Sequence, residues 1–335
     1  MSLIGFGDLA QSHVMRHHMT QAKTDLSRLS QELTTGRAAD TPRHLSGDMG
    51  PLLALETTLA RLGGYGAVTR ELALYSEAMQ VGLATISATA LEAANGLINA
   101  SGTSAMTHVN TAVSAAHSAL QSVISALNTR FGDRSLFAGT ATGGQTMASP
   151  DALMTALETA VAAAGATDVA SVEAAIDTWF ATPGGYRGAG YLGASPLGAV
   201  PVAADEALAL DVTADDPALR KTLKGLAMAA LVDRGLFPGQ PTLQKALAQR
   251  AGEVLLEGET DRAHLAARLG GLQARIDTAT TRNTSEATAL GIARAGLVQL
   301  DPYETATRLQ HAETQLQLIY TLTARMSRLS LADYL

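Results

Sequence analysis

The sequence predicts a mainly α protein: an elongated rod of N- and C-terminal coiled-coil-like helices with a small mixed α/β domain inserted between them. Three observations carry this expectation. Apolar residues recur at three- and four-residue spacing near both ends of the chain. The composition is 47% hydrophobic but only 4% aromatic, with alanine supplying much of the apolar count, which favours slender, closely packed helices over a bulky core. From about Asp133 to Gly239 the rhythm gives way to glycine punctuation and short alternating stretches. The expected divisions are therefore 1–145 for the N-terminal helical part, 146–240 for the insertion and 241–335 for the C-terminal helical part, packing with 1–145.

Met15, Met19, Ala22, Leu26, Leu29 and Leu33 form the first seam, and Gly36 supplies its C-terminal stop. After a loop containing Thr41-Pro42, a shorter helix runs through Leu52, Leu55, Leu59 and Leu62 to a break at Gly63-Gly64. A long helix follows, with Leu72, Met79, Ile86 and Ala93 every seven residues; then Val109, Val113, Ala116, Leu120, Val123 and Leu127 repeat the pattern. "RSLFAGTATGGQT" reads as a hairpin or loop, and 151–164 and 169–181 as two short helices. Leu208, Leu210 and Val212 alternate with Ala209 and Asp211 as in a strand. Asp216-Pro217 opens a helix that ends near Gly235. One long helix is expected from Thr242 to Leu297, its apolar stripe thinning around "LEGETD" and "TTRNTSEAT". Asp301-Pro302-Tyr303-Glu304 has the form of a capping box before the last helix, whose seam is Leu309, Ala312, Leu316, Ile319, Thr323 and Met326. Leu322, Leu329, Leu331 and Leu335 fall partly outside that seam, and an apolar stripe that one partner helix leaves bare points to association between subunits.

A formal net charge of -7 over 335 residues argues against nucleic acid as a partner, because that affinity comes from clustered Lys and Arg. Ten acidic residues and one basic residue, Arg187, lie between Arg134 and Arg220, the pattern of a solvated, outward-facing module. The absence of cysteine removes disulfides, thiolate metal sites and cysteine nucleophiles. The N-terminal segment has no Sec-type signal pattern, and no apolar run approaches the roughly 20 residues a bilayer span needs, so membrane insertion is not expected.

Several stretches imitate chemistry. Gly188, Gly190 and Gly193 spell GxGxxG, yet Pro196 and Pro201 follow where a dinucleotide loop would open a helix. His13 and His17 lie one helical turn apart without the glutamate of an HExxH motif. Asn283-Thr284-Ser285 matches a glycosylation sequon inside a predicted helix, and no GxSxG elbow occurs. No catalytic, cofactor-binding or metal-ligating residue is assigned, and no cofactor is expected.

"LSQELTTGRAAD" (Leu29–Asp40) resembles the N-terminal signature of the flagellin superfamily. "FGDRSLFAGTAT" (Phe131–Thr142) is similar to the segment where the superfamily's hook-filament junction proteins leave their helical part, and "RMSRLSLADYL" (Arg325–Leu335) to their closing motif. "DDPALRKTLKGLAMAAL" resembles the helix that returns from the outer domain, whereas "AADTPRHLSGDMGP" departs from the usual Pro-x-Asp-Asp-Pro-like turn. The resemblance implies a non-enzymatic structural adaptor, exported through the flagellar type III channel and assembled outside the cell at the hook-filament junction. Its implied partners are other copies of itself, the adjoining hook-associated protein, flagellin and a cytoplasmic export chaperone. The expected assembly residues are Met15, Met19, Leu26, Leu29, Leu33, Leu309, Leu316, Ile319, Met326, Leu329, Leu331 and Leu335. A filament-forming flagellin is the alternative, and an all-helical enzyme or secreted effector a minor one.

Overall fold

A computed structural model describes the backbone of residues 6–332 and the side chains of 13–325. The chain is mainly α, with ten α-helices among the described residues. They are α1 (Phe6–Thr35), α2 (Thr41–His44), α3 (Gly50–Ser101), α4 (Met106–Leu127), α5 (Pro150–Ala163), α6 (Val169–Ala181), α7 (Pro217–Asp233), α8 (Pro241–Glu257), α9 (Glu259–Val298) and α10 (Pro302–Ala332). Two antiparallel ladders of two residues each, β1 (Arg130–Phe131) with β2 (Arg134–Ser135) and β3 (Val200–Pro201) with β4 (Ala207–Leu208), are the only named strands among them. The 146–240 stretch is thus helical with a minor β ladder rather than evenly mixed. The alternation through Leu208, Leu210 and Val212 does bury those three side chains, although the ladder stops at Leu208.

Two compact units emerge: residues 1–62 with 285–335, and residues 63–284. These divisions differ from those expected at 145/146 and 240/241. The physical reason is α7, whose buried residues point in every direction around the helix. Its Ala-rich sequence packs against both α4 and α8, so these fall in one unit with the central segment. At Gly225 a Cβ atom would sit 2.7 Å from Leu255 Cγ and 3.2 Å from the Ala251 carbonyl oxygen, so the absence of a side chain sets the α7–α8 spacing.

The expected break at Gly63-Gly64 is absent, and α3 runs through as a single helix. Glycine inside a helix costs roughly 1 kcal/mol relative to alanine, an amount the hydrogen-bonded turns on either side absorb. Conversely, the expected helix over 242–297 is divided at Gly258. The Leu255 carbonyl, which a continuous helix would offer to residue 259, instead accepts two hydrogen bonds from the Arg262 guanidinium at 3.2 Å. Arg262 is almost wholly buried, and that burial lowers its pKa. By length and composition α3 is apolar enough to cross a membrane, contrary to the reading of its sequence. One face of it, with Met79, Ile86, Ala90 and Leu97, lies in the core cluster beside Val113, Leu120 and Leu127 of α4, as in the core helix of a globular unit.

The acidic run between Arg134 and Arg220 is not a freely solvated face. Its carboxylates pair with basic residues from later in the chain: Asp151 and Glu158 with Arg234, Asp177 with Lys224, Asp216 with Arg268, and Glu206 with Arg275 and Arg282. Glu173 is the most connected, accepting from Arg250 at 2.9 Å and Lys224 at 2.9 Å. Those hydrogen bonds, Arg250's first, hold its carboxyl below the usual carboxylate range.

Nearby, Trp179, Phe180, Tyr186 and Tyr191 form an aromatic cluster in which the buried Tyr186 hydroxyl donates to the Ala214 carbonyl at 2.7 Å. The β1–β2 hairpin turns on Gly132 at a φ of 58°. Asn128 accepts from the Thr146 and Met147 amides at 2.9 and 2.8 Å, pinning the loop that follows the hairpin.

Gly225→Ala is expected to lower stability by about 1–3 kcal/mol through overpacking against Leu255. Gly64→Ala, where a Cβ would meet nothing within 4 Å, is expected to raise it by about 0.5–1 kcal/mol. Thermal unfolding followed by circular dichroism distinguishes the two signs. A carboxyl whose folded pKa lies below its unfolded one contributes stability that is complete above the unfolded value and lost as pH falls through the folded value. Glu173→Gln is therefore expected to lower stability at neutral pH and to shrink the loss seen below about pH 4.5, as measured by urea midpoints across a pH series.

Candidate assembly surface

Within the unit formed by 1–62 and 285–335, α1 and α10 pack along each other. They run antiparallel. Gly36, at a φ of 68°, ends α1 and accepts the Leu300 amide at 3.1 Å, while the Ala38 amide reaches the Val298 carbonyl at 3.0 Å, joining the end of α1 to the start of α10. Further along, Lys23 lies 5.8 Å from the centre of the Tyr320 ring.

The expected seam residues divide into three groups. Ala22, Leu29 and Ile319 are buried, and Met15, Met19, Leu26, Leu309, Ala312 and Leu316 are half-buried. Leu33 is exposed, and so is Thr323. The side chains of Met326, Leu329, Leu331 and Leu335 lie outside the described residues. The seam is therefore dry at its centre only. Large apolar side chains also face outward from this unit, among them Val14 (54% exposed), Ile292 (70%), Leu318 (58%) and Leu322 (50%). A cavity of about 350 Å³ opens beside the seam, floored by Ala22, Leu29 and Ala312 and flanked by Arg28 and Arg308.

Two anchoring residues carry no periodicity signal. Glu32 is buried at 5% exposure; one of its oxygens accepts from Arg28 at 2.9 Å and the other from the Ala39 amide at 3.1 Å, fixing the chain as it leaves α1. Its spacing of four from Arg28 is the signal the sequence held. Asp301 caps α10 as expected, accepting from the Tyr303 amide at 2.8 Å and the Glu304 amide at 3.3 Å. Glu304 does not complete a capping box; it pairs with Arg308.

The family described as the bacterial flagellin C-terminal helical region matches residues 257–335. Over this region the chain is similar to the C-terminal helices of flagellins. The flagellin-type region covers α9 and α10, and so contributes the whole C-terminal half of the α1–α10 seam. A solved structure from Vibrio parahaemolyticus, of a protein assigned as flagellar hook-associated, superposes with a TM-score of 0.51 at 13% identity. The match covers 73% of this chain and 95% of that one, and at this identity it shows a shared fold. Bacillus cereus FlgL matches with a TM-score of 0.48 at 12% identity, over 71% of this chain and 96% of that one. Among curated proteins, none matches the sequence.

The motif look-alikes take up structural positions. Gly190 closes a π-helical turn, Tyr186–Gly190, Gly193 abuts the Tyr191 ring, and no helix opens directly after the GxGxxG stretch. His13 and His17 are exposed on α1, and no group of three metal-ligating side chains occurs among the described residues. Asn283 lies inside α9, as expected, and its amide is buried.

Glu32→Ala is expected to cost about 0.5–1.5 kcal/mol by removing the acceptor of the Ala39 amide and one of the two carboxylates paired with Arg28. Amide exchange at residues 36–40 in the full-length chain is the measurement; unchanged rates there would show that Glu32 does not anchor the end of α1.

Proposed function

We propose that this protein is a structural component of the bacterial flagellum, an adaptor joining the hook-associated layer to the flagellin filament. The observation that carries the reading is the α1–α10 pair: a flagellin-type C-terminal region packed on the N-terminal helix, with its seam only partly covered by its own chain. Apolar surface of that kind is stabilised when neighbouring subunits exclude water from it, each fully buried Leu or Ile contributing roughly 1.5–3 kcal/mol. Met15, Met19, Leu26, Leu33, Leu309 and Leu316 are seam residues with apolar area left for such contacts, beside the more exposed Val14, Leu318 and Leu322, and Leu29 and Ile319 hold the pair together. In the sequence Met326 continues the seam, and Leu329, Leu331 and Leu335 add apolar residues partly outside it.

The junction role, rather than that of the filament subunit, is supported by the Ser-Leu-Ala-Asp-Tyr-Leu close of the chain and by a fold shared with a protein assigned as hook-associated. In this reading the partners are further copies, the adjoining hook-associated protein and flagellin. Export by the flagellar type III system, with a cytoplasmic chaperone covering the terminal helices, precedes assembly outside the cell. The flagellin alternative is supported by the family match, which is to flagellin's own C-terminal region.

A deletion strain distinguishes them. Hooks without filaments, together with monomeric flagellin in the medium, are expected for the adaptor; filaments on the mutant hooks would exclude it. Leu26→Asp and Leu316→Asp each place an unpaired carboxylate on the seam, at a cost of several kcal/mol. Both variants are expected to abolish swimming in soft agar while residues 63–284 keep their cooperative thermal transition; normal motility in both would contradict assembly through this seam.

A further inference from the structure

The β3–β4 hairpin closes over a patch of α3 and α9 that is separate from the main core. Val202 and Leu208 are 0% and 1% exposed, and they form a cluster of their own with Ile276 and Ala279, flanked by Val68 and Leu72. A buried side chain fastens it: Asn283 donates to the Val202 carbonyl at 2.7 Å. The outer fastening is ionic. Glu206 accepts from Arg275 at 3.2 Å and Arg282 at 3.2 Å, with those arginine side chains 60% and 43% exposed.

The chain leading into the hairpin lies largely exposed from Leu192 to Pro201. The chain leaving it re-enters the main core at Leu210. A segment held by one small dry cluster, one buried amide and solvent-accessible ion pairs has fewer fastenings than the helices beneath it.

We propose that the 200–208 hairpin is a strap on the α3–α9 surface that opens as a local unit, independently of the α4–α7–α8 core, and more readily as ionic strength rises. Opening breaks the Asn283–Val202 hydrogen bond and the Glu206 pairs and uncovers Ile276 and Ala279, while α7 keeps all its neighbours. Salt acts more on the strap because its arginines are exposed to screening, whereas α7 is held mainly by buried apolar side chains and its Lys224–Glu173 pair is largely shielded from solvent.

Hydrogen exchange of the full-length protein tests this. In the native chain at low salt, the protected amides of 200–208 are expected to exchange at least about tenfold faster than those of α7. Molar salt should raise the hairpin rate severalfold, and raise it less in Glu206→Gln. Asn283→Ala should speed the hairpin and leave α4 and α7 unchanged. Hairpin amides that exchange in step with α7, a hairpin rate indifferent to salt, or variants that speed α7 equally would overturn the proposal. The comparison within the native protein decides the first two outcomes even where a variant fails to fold.

Discussion

A helix can be dry only over the arc its neighbours cover, and this constraint shapes both units of the protein. In residues 63–284, α7 has neighbours on several sides, so its sequence can be apolar and small all round, and the absence of a side chain at Gly225 brings α8 into contact. In the other unit α1 packs on α10, and the same physics leaves Leu33, Val14, Leu318 and Leu322 in water. The first arrangement is complete within one chain. The second leaves apolar surface bare within one chain, which is why the proposed function rests on that pair.

The charge distribution follows a related logic. A chain that places its acids between 151 and 216 and their arginines and lysines mostly between 220 and 282 makes attractive long-range contacts whenever the unit closes. Each surface pair contributes little alone, on the order of 0–1 kcal/mol. Glu173, with Arg250 and Lys224 around it, is the better-organised node. Read along the sequence, the same acids look like a solvated face, because a one-dimensional count does not show which cation is folded back onto them.

Elements governed by local chemistry were legible. The seams of α1, α4 and α10, the Asp216-Pro217 start of α7, the paired short helices α5 and α6 and the Asp301 cap all follow from spacing and capping rules. What was not legible depended on distant partners. Gly63-Gly64 reads as a stop until the helix on each side is seen to continue, and Gly258 reads as one more helical residue until Arg262 is found on the Leu255 carbonyl. Along the α1–α10 seam the stripe was visible but its exposure was not: nothing in the spacing separates the buried Leu29 from the exposed Leu33. The Lys23–Tyr320 contact required the antiparallel pairing to be known, and the Glu32 contact required the path of the chain from α1 to Ala39.

The chain contains a single tryptophan, and Trp179 sits edge-on to Phe180 and Tyr186 within the cluster beneath α7. Intrinsic indole emission is consequently a probe of that neighbourhood and is blind to the α1–α10 pair. A heating curve followed by fluorescence would record one event even if the two units melted at different temperatures, whereas amide ellipticity, dominated by helix wherever it occurs, would record both.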